Sequence, residues 1–286
     1  MRKPKRYGLL GSPIGQSPSA AMMNAAFRAV GLEDQYELFE IPTLEKAQRF
    51  FQSLPSEGIA GLNITIPYKS AIYRWMVERA DVLDSMVQLS CSVNTVVCEA
   101  ERYRAFSTDG EGFIRSLKET GWDPKGKKVM ILGAGGAAHA IAIRLKQAGA
   151  AEVFYYYLRM KRLHCLQELL EESGSVGRLE KEFFIDLKGL CQRILPECEL
   201  LVNATPVGNF SFIEEHDLHE RLFVCDILYS PSETALLREA KARGLKTLGG
   251  QGMLLHQGVC AFEIWTGKKA PVQVMREALG GVLALR

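Results

Sequence analysis

Residues 128–142 read KVMILGAGGAAHAIA, and this stretch decides the fold that we predict for the whole chain. The apolar run Val129–Leu132 is typical of a strand buried on both faces of a parallel sheet. A G-x-G-x-x-A pattern follows and leads into an alanine-rich helix. In it Gly133 permits a tight turn, Gly135 leaves room for a pyrophosphate, and Ala138 lets helix and strand pack closely. The free amides of the helix start would face the phosphates. We therefore predict dinucleotide binding, with a purely structural turn as the alternative.

The composition limits the partners that the chain is expected to have. Its 286 residues are enough for about two domains, and 47% hydrophobic with 24% charged residues is typical of a soluble globular protein. A net charge of +2 gives no support to binding of nucleic acid or of a membrane surface. The basic residues 2–6 are not followed by a signal-peptide core, and no stretch reaches the ~18 apolar residues of a transmembrane helix. We expect a cytoplasmic protein.

Cysteine and histidine residues indicate neither a disulfide framework nor a metal site. The seven cysteines include no C-x-x-C pair, and Cys225 and Cys260 lie in apolar segments, so we expect buried thiols in a reducing compartment. His216 and His219 are three residues apart, but two histidines alone do not indicate a metal site, so no metal is expected.

The first 110 residues predict an alternation of strands and helices. We expect strands at 7–11, 36–41, 61–66 and 92–97, helices at 44–54, 71–77 and 80–86, and a charged turn at 99–102. Another helix begins near Ser17, which would be its N-cap with Pro18 in the first helical position, and stops at Gly31. The hydroxyls of Ser17 and Ser19 at this helix start would also suit an anion such as a substrate carboxylate.

Polar side chains at the end of the third predicted strand form a candidate site. Ligands of open α/β sheets bind beyond the carboxyl ends of the strands, which is where Asn63, Thr65 and Lys69 fall. A lysine in this place is also commonly just solvated, so its position alone assigns it no role. Asp109 lies in a Thr-Asp-Gly triplet, which is typical of a turn and here precedes the helix that leads to the glycine pattern.

The second half alternates strand and helix as a doubly wound domain does. We expect strands at 152–157, 199–203, 222–228 and 246–250, and helices at 233–243, 253–265 and 272–283, the last two packing on the first domain. No carboxylate ends the second strand to bind an unmodified ribose, whereas Arg159, Lys161 and Arg162 could hold a 2′-phosphate. This favours NADP over NAD, although the same cations would suit a solvated helix start. The loop at 203–208 is expected on the nicotinamide side.

Taken in order, these segments resemble the shikimate dehydrogenase family, almost from end to end of the chain. The segments that carry the resemblance are SPS at 17–19, NITIPYK at 63–69, VNT at 93–95, STDG at 107–110, GAGGAA at 133–138, NATPVG at 203–208, DILY at 226–229 and GMLLHQG at 252–258. Some positions depart from the family pattern. They are Gln16 for histidine, Ala20 for proline, Asn209 for methionine, and YLR at 157–159 for Asn-Arg-Thr.

The resemblance implies a two-domain α/β fold and a reaction. An N-terminal α/β substrate domain would span 1–110, completed by helices at 253–286, and a Rossmann-type doubly wound NADP-binding domain would span 111–252. The implied reaction is the NADP-dependent, reversible reduction of 3-dehydroshikimate to shikimate, an oxidoreductase step on a CH–OH group in chorismate and aromatic amino acid biosynthesis. Closure of a cleft between the domains is expected. The implied partners are small molecules, with a monomer or homodimer as the assembly.

The resemblance also implies roles for individual residues. Lys69 would be the general acid or base, oriented by Asp109. The substrate would be bound by Ser17, Ser19, Asn63, Thr65, Asn94, Tyr229 and Gln257. The cofactor would be bound by Gly133, Ala134, Gly135, Gly136, Ala137, Ala138, Arg159, Arg162, Asn203, Ala204, Thr205, Val207, Gly250 and Met253. Two alternatives stay open: a quinate or quinate/shikimate dehydrogenase that uses NAD, and a catalytically silent NADP-binding regulatory protein.

Overall fold

The chain divides into two structural units in the computed structural model, which describes residues 3–79, 81–99, 102–156, 192–208, 213 and 217–284. The first unit combines Met1–Gly112 with the C-terminal Leu255–Arg286, and the second is Phe113–Leu254. Among the described residues, no helix has the length and hydrophobicity needed to cross a bilayer.

The first unit is built on a six-stranded mixed sheet. Its strands are β1 (Arg6–Gly11), β2 (Gln35–Glu40), β3 (Ile59–Ile64), β4 (Val82–Leu83), β5 (Thr95–Glu99) and β6 (Arg102–Phe106), in the order β2-β1-β3-β5-β6-β4. β1, β2 and β3 are parallel, whereas β5 is antiparallel to both of its neighbours. Thr95 at the start of β5 therefore lies opposite Asn63 near the end of β3 and opposite Phe106 at the end of β6. The carboxyl ends of β1, β3 and β6 thus share one edge of the sheet with the start of β5.

The second unit contains a five-stranded parallel sheet. Its strands are β7 (Lys128–Leu132), β8 (Glu152–Tyr156), β9 (Leu200–Asn203), β10 (Phe223–Asp226) and β11 (Thr247–Leu248), in the order β11-β10-β9-β7-β8. The chain runs from β7 outward to β8 and returns to β9 on the other side of β7, so the winding reverses at the carboxyl ends of β7 and β9. This topology confirms the predicted fold class, and ligands of such sheets bind at that switch point.

Helices pack on both faces of each sheet. Those described are α1 (Ser19–Ala29), α2 (Leu44–Ser53), α3 (Lys69–Glu78), α4 (Ser85–Ser90), α5 (Asp109–Glu119), α6 (Gly136–Gln147), α7 (Ala235–Ala242), α8 (Gln251–Thr266) and α9 (Val272–Ala284). Alternate strand residues face opposite layers, because the side-chain period of a strand is two. In β1, Leu10 joins the apolar cluster of α2 and α3, whereas Tyr7 stacks on Phe27 of α1 and Trp265 of α8.

The structure corrects the predicted end of the third strand. β3 stops at Ile64, before the predicted end at 66, because residues 65–68 form a turn closed by a hydrogen bond from Tyr68 N to Thr65 O of 2.9 Å. Lys69 is consequently the first residue of α3, which begins before the predicted start at 71. The next strand begins at Thr95 rather than at 92.

One further helix prediction for the first unit is wrong, and one strand was not predicted. Of the helix predicted at 80–86 only the end is helical, as the start of α4. Val82–Leu83 forms β4, and the Asp84 carboxylate caps α4 by accepting from Val87 N at 2.9 Å. The charged segment predicted as a turn at 99–102 lies between β5, which ends at Glu99, and the unpredicted strand β6, which begins at Arg102. Exposed arginines alternate there with buried Tyr103 and Ala105.

Candidate active site

Lys69 and Asp109 form an ion pair in the first unit, with Lys69 Nζ at 2.6 Å from Asp109 Oδ2. Each is the first residue of a helix, α3 and α5 respectively, at the edge where the strands end. The Lys69 side chain is 18% exposed and that of Asp109 only 4%. An ammonium group has three donors, so Lys69 keeps hydrogens for a further acceptor after pairing with the carboxylate. This site ion pair could orient a proton toward a bound molecule.

Asn94 connects the site ion pair to the C-terminal part of the chain. Its Nδ2 lies 3.0 Å from Asp109 Oδ1, 2.8 Å from Thr108 Oγ1 and 3.1 Å from Gln257 Oε1. An amide nitrogen has two hydrogens, so these three acceptors share them. Asn94 Oδ1 accepts from Thr108 N at 2.8 Å. The antiparallel β5 makes this possible, since it starts at the edge where β3 and β6 end.

Asn63 lies deeper in the same network. Its Oδ1 accepts from the Tyr36 hydroxyl at 2.8 Å, and its Nδ2 donates to Asn94 O at 3.2 Å and to Thr95 Oγ1 at 3.0 Å. Sequence patterns did not identify Tyr36, Thr95 or Thr108 as members of a site. Thr95 and Thr108 adjoin predicted site residues, but no local pattern marks the partner of the Tyr36 hydroxyl.

Ser17 and Ser19 lie after β1 at the start of α1. The predicted N-cap role of Ser17 is wrong, because Pro18 occupies that position without a side-chain hydrogen bond. The Ser17 hydroxyl instead donates to Ser19 Oγ at 3.0 Å and accepts from Ser19 N at 3.3 Å. A hydrogen bond of 3.1 Å from Ser12 N to Ile66 O ties the loop after β1 to the turn that follows β3. Both serines therefore lie at the sheet edge that carries the site ion pair.

Two predicted substrate residues, Thr65 and Tyr229, lie in different units of the structure. Thr65 is half-buried in the turn between β3 and α3, on the same edge. Tyr229 belongs to the second unit, where it is half-buried beyond the end of β10. The hydrogen-bonded network of the first unit thus joins Asn63, Lys69, Asn94, Asp109 and Gln257.

In the second unit, the glycine turn has the geometry that a dinucleotide requires. Gly133 has φ +112°, and a Cβ there would lie 2.9 Å from Ala204 O, so both conformation and space demand glycine. Gly135 is the N-cap residue of α6 with φ −84°, an ordinary value for any residue. A Cβ on Gly135 would have none of the described atoms within 4 Å. Open space at a helix N-terminus fits a pyrophosphate group.

The loop at 203–208 is built around the side chain of Asn203. Asn203 is fully buried, and its Oδ1 accepts from Thr205 N at 2.9 Å and Thr205 Oγ1 at 2.8 Å. Its Nδ2 donates to Val207 O at 2.7 Å and Asp226 Oδ2 at 3.0 Å. All four hydrogen-bonding positions are therefore engaged, so the side chain shapes the loop. Val207 is exposed at its tip, as an apolar contact for a ring would need.

Of the remaining predicted cofactor residues, the structure describes Gly250 and Met253 but not Arg159 and Arg162. Gly250 approaches Ile227 so closely that a Cβ would lie 2.1 Å from its carbonyl oxygen, and Met253 is buried in the apolar cluster of α6. Packing accounts for both positions. Arg159 and Arg162 lie outside the described residues, as do Asn209 and His216. Within the described ranges, no cluster of three histidine, cysteine or acidic residues could hold a metal ion.

Asp226 is a buried carboxylate that joins three segments of the second unit. It accepts hydrogen bonds from Asn203 Nδ2, from Thr234 Oγ1 at 2.8 Å and from Leu228 N at 3.0 Å. Burial raises the pKa of Asp226 above its ordinary value, and these hydrogen bonds oppose the rise without cancelling it. The Asp226 carboxyl group therefore keeps its proton to a higher pH in the folded state than in the unfolded state.

We predict a falling contribution of Asp226 to stability as pH rises. An unfolded aspartate titrates near ~3.9, so the folded protein binds more protons between that pH and the raised pKa, and stability is lost across this window. The free energy of unfolding is measured in urea for the wild type and for Asp226→Asn from pH 3.5 to 7. The wild-type value minus the variant value should decrease as pH rises. Glu233→Gln is the control with the opposite sign, because the hydrogen bond from Lys241 lowers the pKa of Glu233. A difference for Asp226 that grows with pH would contradict the prediction.

The doubly wound sheet and its glycine turn make the second unit a nucleotide-binding domain of the Rossmann type. Family models match residues 9–96 as a shikimate dehydrogenase substrate binding domain and residues 250–279 as a shikimate 5′-dehydrogenase C-terminal domain. A shikimate dehydrogenase (NADP+) of Methanopyrus kandleri is 43% identical over 280 residues, which cover 95% of this chain and 93% of the relative. The chain belongs to the shikimate dehydrogenase family.

Solved structures of similar proteins agree with this assignment. The shikimate 5-dehydrogenase of Thermus thermophilus in complex with NADP(H) and shikimate has a TM-score of 0.80 at 34% identity, covering 98% of this chain and 100% of that one. A quinate dehydrogenase of Corynebacterium glutamicum in complex with NAD has a TM-score of 0.83 at 28% identity, with the same coverage of 98% and 100%.

Proposed function

We propose that this protein catalyses the reversible reduction of 3-dehydroshikimate to shikimate with NADPH. The observation that carries the proposal is the 2.6 Å contact between Lys69 and Asp109 inside a buried polar network at the edge of the first sheet. Membership of the family supplies the reaction class, and the contact supplies a proton donor where the strands end. The partly buried ion pair at this place also favours an enzyme over a catalytically silent regulatory protein, because ligand binding alone does not require a proton donor.

Lys69 acts as the general acid in reduction. Bound NADPH supplies hydride from its nicotinamide ring. As the ketone carbon accepts the hydride its oxygen gains negative charge, so a cationic acid both stabilises that charge and provides the proton. Asp109 holds the ammonium in place through Oδ2, and Asn94 holds the carboxylate through Oδ1. In the direction of oxidation, the neutral Lys69 amine takes the proton from the substrate hydroxyl.

The other polar groups of the edge bind the substrate. Ser17 and Ser19 present two adjacent hydroxyls, 3.0 Å apart, as neutral donors to the carboxylate. Ring hydroxyls are bound by residues of the first unit, namely Asn63, Thr65, Asn94 and Gln257. Holding the substrate by several groups on rigid elements converts the proton transfer into an oriented, effectively unimolecular step.

NADP binds the second unit at the switch point of its sheet. Gly133 to Ala138 place the pyrophosphate at the start of α6, and the loop that carries Ala204, Thr205 and Val207 lies beside this turn, as the approach of Ala204 O to Gly133 supports. Besides their packing roles, Gly250 and Met253 are the remaining cofactor-binding residues that the family resemblance implies. Arg159 and Arg162 bind the 2′-phosphate, since no carboxylate is found there in the sequence to repel it.

Initial rates with two substrates and two cofactors test the proposal. The rates are measured from the change in absorbance at the nicotinamide band. We expect kcat/KM to be highest for shikimate with NADP+ and for 3-dehydroshikimate with NADPH. Quinate with NAD+ is the second candidate, favoured by the similarity to the Corynebacterium enzyme. Higher kcat/KM with quinate and NAD+ would replace the proposal by that activity, and absence of any turnover would support the regulatory alternative. A Lys69→Met variant purified in parallel controls for host enzyme.

The assembly and location complete the proposal. We infer a cytoplasmic monomer or homodimer whose partners are small molecules. In the described part of the chain, no disulfide joins Cys91, Cys98, Cys198, Cys225 and Cys260, as a reducing compartment permits. A mass from light scattering after size exclusion measures the assembly.

A further inference from the structure

A single chain of hydrogen bonds connects β2 to the site ion pair. The Tyr36 hydroxyl lies 2.8 Å from Asn63 Oδ1, and Asn63 Nδ2 lies 3.0 Å from Thr95 Oγ1. Thr95 Oγ1 lies 3.1 Å from Asn94 Oδ1, and Asn94 Nδ2 lies 3.0 Å from the carboxylate of the ion pair. Tyr36, Asn63, Thr95 and Asn94 are all buried.

The donor and acceptor in every hydrogen bond of this series are determined by two groups that can act in only one way, the Asp109 carboxylate and the backbone N–H of Thr108. A carboxylate only accepts and a backbone N–H only donates, so Asn94 must point Nδ2 at Asp109 and Oδ1 at Thr108 N. Thr95 then donates its hydroxyl hydrogen to Asn94 Oδ1 and accepts from Asn63 Nδ2. The second hydrogen of Asn63 Nδ2 goes to the carbonyl oxygen of Asn94, at 3.2 Å. Asn63 Oδ1 is thereby left to Tyr36, which donates.

We propose that Tyr36 is a positioning residue of the active site, the last donor of a chain that fixes the Asn63 amide toward the substrate. The inference rests on the proposed function. Tyr36 itself is only 3% exposed, and its hydroxyl donates to Asn63, so its effect on a bound substrate passes through Asn63. Burial raises the pKa of Tyr36, so its hydroxyl stays a donor throughout the working range.

The series of hydrogen bonds from Tyr36 to Asp109 also limits which hydrogen bonds Asn63 can make to a substrate. Both of its N–H hydrogens and one lone pair of Oδ1 are engaged, so its free hydrogen-bonding capacity is the second lone pair of Oδ1. Asn63 therefore accepts from a substrate hydroxyl and does not donate to a carbonyl or ether oxygen. This makes the Tyr36–Asn63 contact a determinant of specificity for a hydroxyl at that place.

The test compares Tyr36→Phe with Tyr103→Phe. Both substitutions delete one buried tyrosine hydroxyl in the first unit, but Tyr103 donates to Phe51 O at 2.9 Å on the opposite layer of the sheet. Leaving the Asn63 acceptor unsatisfied should raise the KM for 3-dehydroshikimate about 5–20-fold in Tyr36→Phe, with kcat changed less than about threefold and the KM for NADPH unchanged. Tyr103→Phe should lower Tm similarly and leave the substrate KM at the wild-type value.

A double-mutant cycle identifies the route of the effect. If Tyr36 acts through Asn63, Tyr36→Phe raises the substrate KM in the wild-type background but not in an Asn63→Ala background. Equal effects in both backgrounds, or the same KM in Tyr36→Phe and Tyr103→Phe, would overturn the proposal. Should Tyr36→Phe not fold, Thr95→Val breaks the chain one link further on and is expected to show the same rise in substrate KM.

A measurement without substrate separates this inference from the proposed function. The side-chain amide hydrogens of Asn63, observed by NMR, should exchange slowly in the wild type and in Tyr103→Phe, and faster in Tyr36→Phe. A wild type without activity on 3-dehydroshikimate would remove the proposed reaction but leave this prediction standing. Unchanged exchange in Tyr36→Phe would overturn the inference even in an active enzyme.

Discussion

Replacing Lys69 by methionine is expected to lower kcat for the reduction of 3-dehydroshikimate by about 10²–10⁴, the usual contribution of a general acid. Methionine keeps the length of the side chain but has no proton to give and no charge to place near the developing alkoxide. NADPH affinity, measured by fluorescence titration, should stay within about twofold, because Lys69 belongs to the first unit and the glycine turn to the second.

The same substitution should also lower stability, for a separate reason. Without Lys69 the Asp109 carboxylate, only 4% exposed, loses its cationic partner, and an uncompensated buried charge is destabilising. The double variant Lys69→Met with Asp109→Asn removes that charge. We expect it to regain most of the lost Tm while kcat stays low, which separates proton transfer from folding.

Two results would contradict this account of Lys69. Unchanged kcat in Lys69→Met would remove the residue from the chemistry. Recovery of kcat in the double variant would show that the single substitution acted through an unpaired charge. In either case the reaction class would still follow from the family, but the acid would have to be sought elsewhere in the network.

The glycine turn of the second unit was open to prediction because its signals are local. An apolar strand, a glycine with φ +112° and an alanine-rich helix start all fall within residues 128–142, so β7 and α6 follow from neighbouring residues alone. The order of α/β elements behind the fold class depends on the same kind of short-range pattern.

The missed elements of the first unit depend on pairing between distant residues. β4 is only two residues long and exists because Val82 and Leu83 pair with Arg104 and Ala105 of β6. β6 was hidden because its exposed positions are arginines. Arg104 Nη1 lies 3.2 Å from Glu99 Oε1, and no strand was predicted over residues 102–106. No local propensity contains this information.

The site shows the same division between local and distant signals. Lys69 and Asp109 were found through their places beside predicted strands and through the family resemblance, although their contact spans 40 residues of sequence. The Tyr36 hydroxyl was not found, since its partner lies 27 residues on and a tyrosine in a strand is ordinarily a packing residue. Asn203 was named as a cofactor residue, yet the hydrogen bonds given for its side chain go to its own loop and to Asp226.

Replacing Gly135 by aspartate is expected to weaken NADPH binding at least 100-fold while leaving the unliganded protein folded. Gly135 has an ordinary backbone conformation and open space around its missing Cβ, so a side chain costs no strain. Aspartate is also a favoured N-cap residue, so α6 should keep its stability. Where the pyrophosphate should lie, however, the variant places a carboxylate, and each lost hydrogen bond to a charged group costs about 1.5–3 kcal/mol.

Two matched variants separate the possible causes of such a loss. Gly135→Asn has the same size and capping ability without the charge, so it should bind NADPH more weakly than wild type but better than Gly135→Asp. Gly133→Ala should behave in the opposite way, with a lower Tm even without cofactor, because it needs φ +112° and its Cβ would meet Ala204 O at 2.9 Å. Calorimetric titration with NADPH and thermal unfolding without it measure both quantities. Normal NADPH affinity in Gly135→Asp would mean that the pyrophosphate does not bind at the start of α6, and the role of the whole glycine turn would have to be withdrawn.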